Sequence, residues 1–246
     1  MRFVVLMPVL VTALISCGQP TPEITNRSLT DSEATRLAQV RNRNYLSGGA
    51  QFEATSSFLG IANPETITLK GVIDWSKHVG RATVKSSLGS DTVEVYWEEK
   101  FLLERRLSYD AILPALGGPS APWFGRLPEP STRQLDRLLG IIMSLAAEQP
   151  ENALLIQQTP GTLFLRSDLI RGETAEVLRF GERTKYWLRT ATDELLRFES
   201  DAEAGLAPVL VDILESGPFN AAPPKEADIV SPKDFPEIYA QIRGGS

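Results

Sequence analysis

The sequence has one cysteine and one histidine among its 246 residues, and this scarcity argues against several kinds of site. A lone cysteine, Cys17, has no intramolecular disulfide partner, and a zinc site needs several Cys or His ligands. A Ser-His-Asp or Cys-His arrangement would have to use His78, which lies in the turn-like segment WSKHVG. We expect His78 to be a solvated loop residue, and we predict a chain that binds no metal and no cofactor.

Other catalytic signatures are also missing. The Gly-Gly-Pro segment at residues 117–119 lacks the following lysine and the spacing of a phosphate-binding loop. Glu98 and Glu99 are adjacent carboxylates, but they lie at a predicted strand end, where exposed charges are the rule. Convergence of carboxylates that are distant in sequence stays open. The sequence therefore predicts a protein that is not an enzyme.

Only one long apolar run occurs, at residues 3–15, and it follows a single basic residue, Arg2. Its helical length of about 20 Å is too short to cross a hydrocarbon core of roughly 30 Å comfortably. A charged start, a short apolar stretch and a small residue before a boundary indicate a secretory signal peptide over residues 1–16. We therefore expect the protein to be exported.

The signal ends in LISC at residues 14–17, which resembles the bacterial lipobox. The resemblance implies that Cys17 receives a diacylglycerol and anchors the mature chain to the cell membrane or envelope, on the extracytoplasmic side. The alternative is an ordinary signal peptide and an unmodified cysteine, but an exported free thiol would be unusual. Two acyl chains suffice for stable anchoring. Residues 17–29 are predicted to be a flexible lipidated tether, and residues 30–246 one domain.

The net charge is −6, and the lysines and arginines are scattered without forming a basic stripe. Nucleic acid is therefore not an expected partner, and anionic headgroups offer the chain little attraction. Exposed apolar runs are sparse, which favours a monomer.

Hydrophobic periodicity predicts a helix followed by a series of strands. The helix is expected at residues 30–46, with Thr30 or Asp31 as its N-cap and Gly48 just past its end. The loops after it are short, so neighbouring strands are expected to pair antiparallel. This first meander has strands predicted at residues 50–59, 66–75, 81–88, 92–97 and 101–107.

The pattern breaks at residues 108–130, where prolines are too dense for a long helix or a central strand. We expect a short helical piece at residues 109–116 and then a loop. Trp123 and Phe124 are bulky apolar residues within that loop, and we hypothesise that residues 114–130 gate the mouth of a cavity. The alternative is that the pair packs on the sheet edge as a static staple.

A helix is then expected at residues 131–147, with Ser131 and Gln134 as a capping box, and a short terminal helix at about 232–242. A second meander lies between the two helices. Its strands are predicted at residues 153–158, 162–168, 174–180, 184–190, 194–200 and 206–214.

These elements predict an α+β fold with a single strongly curved antiparallel sheet. About 10–11 strands would form a half-barrel, and a few helices would cover one face of it. Two small β domains are an alternative, although the helix at residues 131–147 lies between the strand sets, where it could plug one shared sheet.

Three segments carry a resemblance to a known family: LKGVIDWSKHVGRATV in the first meander, KYWLRTATDELLRFES in the second and PPKEADIVSP near the end. Together with the order of helices and strands they resemble the LolA-like fold, and within it the actinobacterial LppX/LprG-type lipoproteins. The resemblance implies an open half-barrel closed by helices over an apolar cavity, and binding of lipid acyl chains or of acylated proteins.

Two functions follow as alternatives. The first is a carrier that holds an apolar lipid or a lipidated protein in the cavity. The second is an envelope sensor, regulator or scaffold with a filled interior that acts through its surface, as RseB-type regulators of the same fold imply. The candidate cavity or gate residues are large apolar side chains, which could equally fill an ordinary core. They are Trp75, Val95, Trp97, Leu103, Trp123, Phe124, Leu139 and Trp187.

Overall fold

The computed structural model describes residues 26–57, 65–89, 91–110, 112–201, 208–231, 233 and 235–237. The signal peptide, Cys17 and the first part of the predicted tether lie outside the described residues, as does most of the predicted terminal helix. Within the described ranges, no helix combines the length and apolar character needed to cross a membrane.

Three α-helices and twelve strands are described, together with three short 3₁₀ helices at residues 107–110, 114–116 and 226–228. The helices are α1 (Asp31–Ser47), α2 (Gln134–Ser144) and α3 (Ala153–Gln158). The strands are β1 (Gly49–Ser57), β2 (Thr66–Asp74), β3 (Val79–Ser86), β4 (Thr92–Glu98), β5 (Phe101–Arg106), β6 (Trp123–Arg126), β7 (Leu163–Ile170), β8 (Glu173–Phe180), β9 (Thr184–Arg189), β10 (Leu195–Ser200), β11 (Val209–Ser216) and β12 (Ile229–Val230).

All twelve strands form one sheet, in the order β12-β6-β5-β4-β3-β2-β1-β11-β10-β9-β8-β7. Every neighbouring pair is antiparallel except β12 and β6, which are parallel. The two meanders join where β1 pairs with β11, from Ala50 opposite Ser216 to Ser56 opposite Val209. The predicted α+β fold with a single curved antiparallel sheet is therefore confirmed, and the alternative of two small β domains is not what the structure shows.

The helices lie on one face of this sheet and enclose the main core. Side chains from β1, β2, β4 and β11 pack there against α1 and α2, with Phe52, Leu69 and Ile73 fully buried. The apolar stripe of α2 supplies Leu138 and Ile142 to the same core. Burial of large side chains at about 1.5–3 kcal/mol each makes this layer the main source of stability in a chain without disulfides.

Three elements differ from the predictions. Residues 153–158 form α3 rather than a strand, because the Asn152 side chain accepts hydrogen bonds from the backbone N–H groups of Leu154 and Leu155 and so starts a helix. Helix α2 begins at Gln134 rather than Ser131, and no capping box forms. The Gln134 amide instead donates to the Ser56 hydroxyl on β1.

The third difference is β6, a strand within the proline-rich segment. Its residues pair with β5 on one side and with β12 on the other. Prolines are tolerated near the edge of a sheet, and here Pro122 and Pro128 flank the strand without interrupting it. The gain of β6 and β12 and the loss of the strand at residues 153–158 account for twelve strands instead of eleven.

The start of α1 is fixed by charge. Thr30 and Glu33 form a capping box, and Arg27 donates to both Glu33 oxygens at 2.6 and 2.7 Å. Arg27 also exchanges two backbone hydrogen bonds with Phe164 on β7, so Arg27, which lies within the predicted tether, is part of the folded domain. The hydrogen bonds from Arg27 lower the pKa of Glu33 to about 2, although burial opposes the shift.

This lowered pKa predicts acid-dependent stability. The ionised Glu33 contributes its full stabilisation above the ordinary carboxyl pKa of 4.5 and loses it as the pH falls towards 2. Replacing Glu33 by glutamine should lower the free energy of unfolding by about 1–2 kcal/mol at pH 7, since Arg27 is partly exposed. Urea denaturation between pH 7 and pH 3 should show this difference shrinking, whereas Glu53→Gln should change little; a constant difference would contradict the assignment.

Candidate functional site

A cavity of about 420 Å³ lies between α2 and one end of the first meander. Ligand pockets commonly measure about 300–1,000 Å³, so this volume is enough for a small or single-chain ligand. Its walls come from the β2–β3 turn, the β4–β5 hairpin, the segment before α2 and one face of α2. The lining residues are His78, Trp97, Glu98, Glu99, Leu102, Pro128, Pro130, Asp136, Leu139, Gly140, Met143 and Ser144.

The inner wall is apolar. Trp97 and Leu102 are directly opposite each other on β4 and β5, and Leu139 and Met143 face them from α2. The Trp97 ring is held edge-on by Phe52, with ring centroids 6.2 Å apart. A wall of this kind favours an apolar group, because it offers few polar partners to water.

The rim is polar and acidic. Glu98 and Glu99 are exposed at the β4–β5 hairpin, and His78 is exposed in the β2–β3 turn with a left-handed backbone. The Tyr96 hydroxyl donates to a Glu98 oxygen at 2.9 Å. Burial and this hydrogen bond raise the pKa of Tyr96 to about 12, so the phenol stays neutral and keeps its proton as a donor to Glu98.

A buried ion-pair cluster, Glu104-Arg126-Asp136, borders the cavity. Arg126 on β6 donates to Glu104 on β5 at 2.7 Å and to both carboxylate oxygens of Asp136 on α2 at 2.5 Å. The three side chains are at most 5% exposed. Burial lowers the pKa of Arg126, but the hydrogen bonds and charges of Asp136 and Glu104 outweigh it and hold that pKa above its ordinary value. The cluster ties the start of α2 to the sheet.

Side chains from elsewhere in the core satisfy the carbonyls at the other end of α2. Trp75 donates from Nε1 to the Ile142 carbonyl at 3.1 Å, and Asn44 on α1 donates to the Leu145 carbonyl at 2.7 Å. Carbonyls at a helix C-terminus lack the usual partner four residues on, and these side-chain bonds supply partners there. The Ile142 carbonyl also accepts from the Leu145 backbone N–H at 3.3 Å. Helix α2 is therefore held at both ends, with the cavity beside it.

The structure brings two of the predicted site residues, Trp97 and Leu139, to the cavity wall. Two others, Trp75 and Val95, lie in the main core: Trp75 packs under the end of α2, and Val95 lies on the helix-facing side of β4. These four residues thus share one face of the sheet.

The remaining predicted residues lie elsewhere. Leu103 and Trp123 pack with Tyr96 on the opposite face of the sheet. Phe124 packs with Leu113 and Val230 at the β12 edge. Both Trp123 and Phe124 are buried residues of β6.

Trp187 lies in a separate apolar cluster of the second meander, far along the sheet from the cavity. It packs there with Val177 and Leu196 and donates from Nε1 to Asp168 at 3.1 Å.

Sequence reasoning did not identify the rim. It correctly placed His78 and the Glu98-Glu99 pair in turns. It did not use the fact that the β2–β3 and β4–β5 turns of an up-and-down meander lie at the same end of the sheet, which could have predicted that these residues are neighbours. Asp136 and Gly140 carried no signal, because their place depends on how α2 is oriented over the sheet.

No metal centre accompanies the cavity in the part of the chain that the structure describes. In those ranges no three or more His, Cys, Asp or Glu residues come together in a group that could hold a metal ion.

A scan against protein-family models and a search of curated proteins find no match to the chain. Solved structures do match it. LprF from Mycobacterium bovis is 12% identical with a TM-score of 0.42, and the match covers 80% of this chain and 99% of that one. An uncharacterised conserved protein from Thermus thermophilus is 12% identical with a TM-score of 0.37, covering 77% and 94%.

The Pseudomonas aeruginosa MucA/MucB complex gives a match of 15% identity with a TM-score of 0.33, covering 80% of this chain but only 58% of the other. Similarities this low say nothing about ligand or partner. The resemblance to LppX/LprG-type lipoproteins proposed from the sequence is matched by the presence of LprF among these structures.

The buried cluster predicts a large cost when only its cation is removed. Arg126→Met leaves Glu104 and Asp136 buried without their counter-charge, so the free energy of unfolding should fall by about 3–5 kcal/mol. Adding Glu104→Gln and Asp136→Asn to that variant should restore at least half of the loss. Lys70→Met, which breaks an exposed ion pair with Glu53, should cost at most about 1 kcal/mol. Urea denaturation measures all three, and equal effects for the two cation variants would contradict this account.

The buried positions of Trp123 and Phe124 predict that they stabilise the sheet edge. Replacing both by serine should lower the free energy of unfolding by more than the roughly 3–5 kcal/mol typical of one buried aromatic replaced by alanine. Leu127→Ser in the same segment should have little effect, because Leu127 is 71% exposed. Thermal and urea denaturation provide the readout; a double variant as stable as the wild type would favour the gate hypothesis instead.

Proposed function

We propose that this protein is a membrane-anchored extracytoplasmic lipoprotein that binds or carries a lipid, or the acyl chain of a lipidated molecule, in the cavity beneath α2. The observation that carries the proposal is the apolar wall formed by Trp97, Leu102, Leu139 and Met143. An open, apolar space within an otherwise close-packed domain is unusual, since protein interiors leave few voids larger than a water molecule.

The physical driving force is burial of acyl surface. Each methylene removed from water contributes about 0.8 kcal/mol, so even a partly inserted chain gains several kcal/mol without any cofactor or energy source. A volume of about 420 Å³ is in the lower part of the usual range for ligand pockets and favours one chain over several.

Anchoring through Cys17 is part of the same proposal. The support for it is the sequence of residues 14–17 and the absence of a second cysteine. A lipid-anchored domain held near a membrane would exchange single lipids with it across a short distance. The protein is proposed to act by binding, with no chemical step.

A second candidate is an interaction module that uses its surface. The observation that favours it is the filled centre of the helix-covered face, where Phe52, Leu69 and Trp75 are fully buried. Such a module needs exposed apolar surface, and the neighbouring Leu154 and Leu155 on α3 provide some. The cavity is the reason to rank it second.

Gly140 allows a direct test. It lies on α2 at the cavity, and a Cβ atom added there meets no atom within 4 Å outside the backbone of the helix itself. Gly140→Phe should therefore fill the cavity without disturbing the fold, whereas Gly140→Ala should leave the cavity open and stabilise the helix by up to about 1 kcal/mol.

The measurement is native mass spectrometry of residues 18–246, which keep every described residue, purified from a bacterial host without detergent. The wild type and Gly140→Ala should carry a bound species of lipid mass that is released on denaturation, and Gly140→Phe should lack it. A bound species that survives in Gly140→Phe would place the ligand elsewhere. An unliganded wild type that also takes up no added 1-monopalmitoylglycerol, palmitate or hexadecylamine would overturn the proposal in favour of the interaction module.

A further inference from the structure

Helix α3 turns two adjacent leucines away from the domain. Leu154 is 59% exposed and Leu155 is 62% exposed, whereas the next residue, Ile156, is 3% exposed and packs in the main core. The buried Ile156 and the Asn152 cap hold the helix in this orientation. Single exposed leucines are common on protein surfaces, but two side by side form a contiguous apolar surface, which we call the α3 patch.

The α3 patch lies beside the point at which the chain enters the domain from Cys17. The Gln157 side chain, one turn along α3 from Leu154, donates to the Leu29 carbonyl at 3.1 Å. Leu29 comes two positions after Arg27, which pairs with β7. Arg27 follows Cys17 by ten positions, and a chain of that length spans at most about 35 Å. A lipid on Cys17 would therefore keep the α3 patch close to a membrane.

The segment that carries the α3 patch is uncharged. No charged residue occurs between Glu151 and Arg166. The carboxylates next to it have donors: Glu151 accepts from Arg41 at 3.0 Å, and Asp31 accepts from the Gln157 amide at 3.1 Å. Insertion of this segment into headgroups would remove none of its own charges from water, and an unpaired charge is the costliest group to bury. With a net charge of −6 on the chain, apolar burial rather than headgroup charge has to supply the affinity.

From these observations we infer that the α3 patch is a membrane-docking surface, whose Leu154 and Leu155 insert at the headgroup–acyl boundary of the membrane that holds Cys17. This inference rests on the proposed lipid anchor. The anchor raises the local concentration of membrane at the patch, so two leucines suffice where an unanchored protein would bind weakly. Docking fixes which side of the domain faces the membrane, whereas a tether alone leaves it open.

The test uses the mature chain, residues 17–246, which keeps every described residue. Its one thiol, Cys17, is coupled to a maleimide lipid in phosphatidylcholine vesicles, so the anchor is supplied chemically. Leu155→Trp is the reporter. Leu46→Trp is the matched control, because Leu46 is 73% exposed and lies roughly 20 Å along α1 from Asp31. The four native tryptophans are at most 4% exposed and contribute little background.

Brominated acyl chains should quench Leu155→Trp emission at least about twofold more than Leu46→Trp emission, because only residue 155 reaches the boundary. The quenching should persist when the salt concentration rises from about 0.1 to about 0.5 M, since salt screens charge and not apolar contact. Equal quenching of the two reporters, or quenching that is lost at high salt, would overturn the inference.

Tryptophan itself favours the membrane interface, so hydrogen exchange of the anchored wild type provides a readout without a reporter. Backbone exchange in α3 should slow about threefold or more on vesicles relative to the same protein in solution. Leu154→Gln/Leu155→Gln should abolish this protection and keep the fold, because both side chains are exposed. Leu46→Gln/Leu127→Gln removes two equally exposed leucines elsewhere and should retain it.

The density of protein on the vesicles separates a membrane from a second copy of this chain as the occupant. Protection that is the same at low and high density supports docking on lipid. Protection that grows with density, or that occurs in concentrated protein without vesicles, would overturn the inference in favour of self-association.

The lipid anchor is tested separately, by mass spectrometry of the full chain isolated from bacterial membranes. A diacylglycerol on Cys17 together with an unprotected α3 would overturn the docking inference and leave the anchor and the lipid-binding cavity standing. An unmodified Cys17 would refute the anchor, and the docking inference with it.

Discussion

The placement of α2 is the constraint on which the site depends. The apolar face of a curved sheet has to be covered to exclude water, and α2 covers part of it. Polar contacts at both ends of α2 fix its position on that face. Arg126 donates hydrogen bonds to the Asp136 carboxylate at the start of the helix, and Trp75 and Asn44 donate to backbone carbonyls at its end. These bonds hold the helix at both ends, and the cavity lies between it and the β4–β5 hairpin.

The two halves of the helix-covered face differ in how they are filled. Under the end of α2 and along α1, large side chains such as Trp75 and Phe52 are fully buried in the interior. Beside the β4–β5 hairpin, α2 presents Gly140, which has no side chain to fill the gap. One face of one sheet thus combines a close-packed core, which provides stability, with a cavity, which is available for a ligand.

The sequence was sufficient for the local elements and for the fold class. The Thr30 N-cap of α1, the short loops and the alternating strands follow from neighbouring residues, and the structure has them within a few positions. Strand β6 was missed because it depends on an edge position that tolerates proline, and there tertiary context overrides composition. Helix α3 was missed for a local reason: Asn152 directly before it acts as an N-cap, a signal that the strand prediction at residues 153–158 did not use.

The site was predictable only in part, for a related reason. Large apolar residues were correctly recognised as interior, but the face that each occupies depends on register. Trp97 and Leu103 lie on adjacent strands only one position out of register and face opposite sides of the sheet. The rim residues are ordinary turn residues, and the cavity they surround exists only once α2 is in place.

The segments just inside the two ends of the described chain lie along opposite edges of the sheet. Arg27 pairs with Phe164 beside β7, and Ile229–Val230 form β12 beside β6. Unpaired strand edges are templates for adding strands from other molecules. By occupying part of both edges, the chain shields itself from edge-to-edge aggregation, a useful property for a protein that would be concentrated with its own copies on a membrane surface.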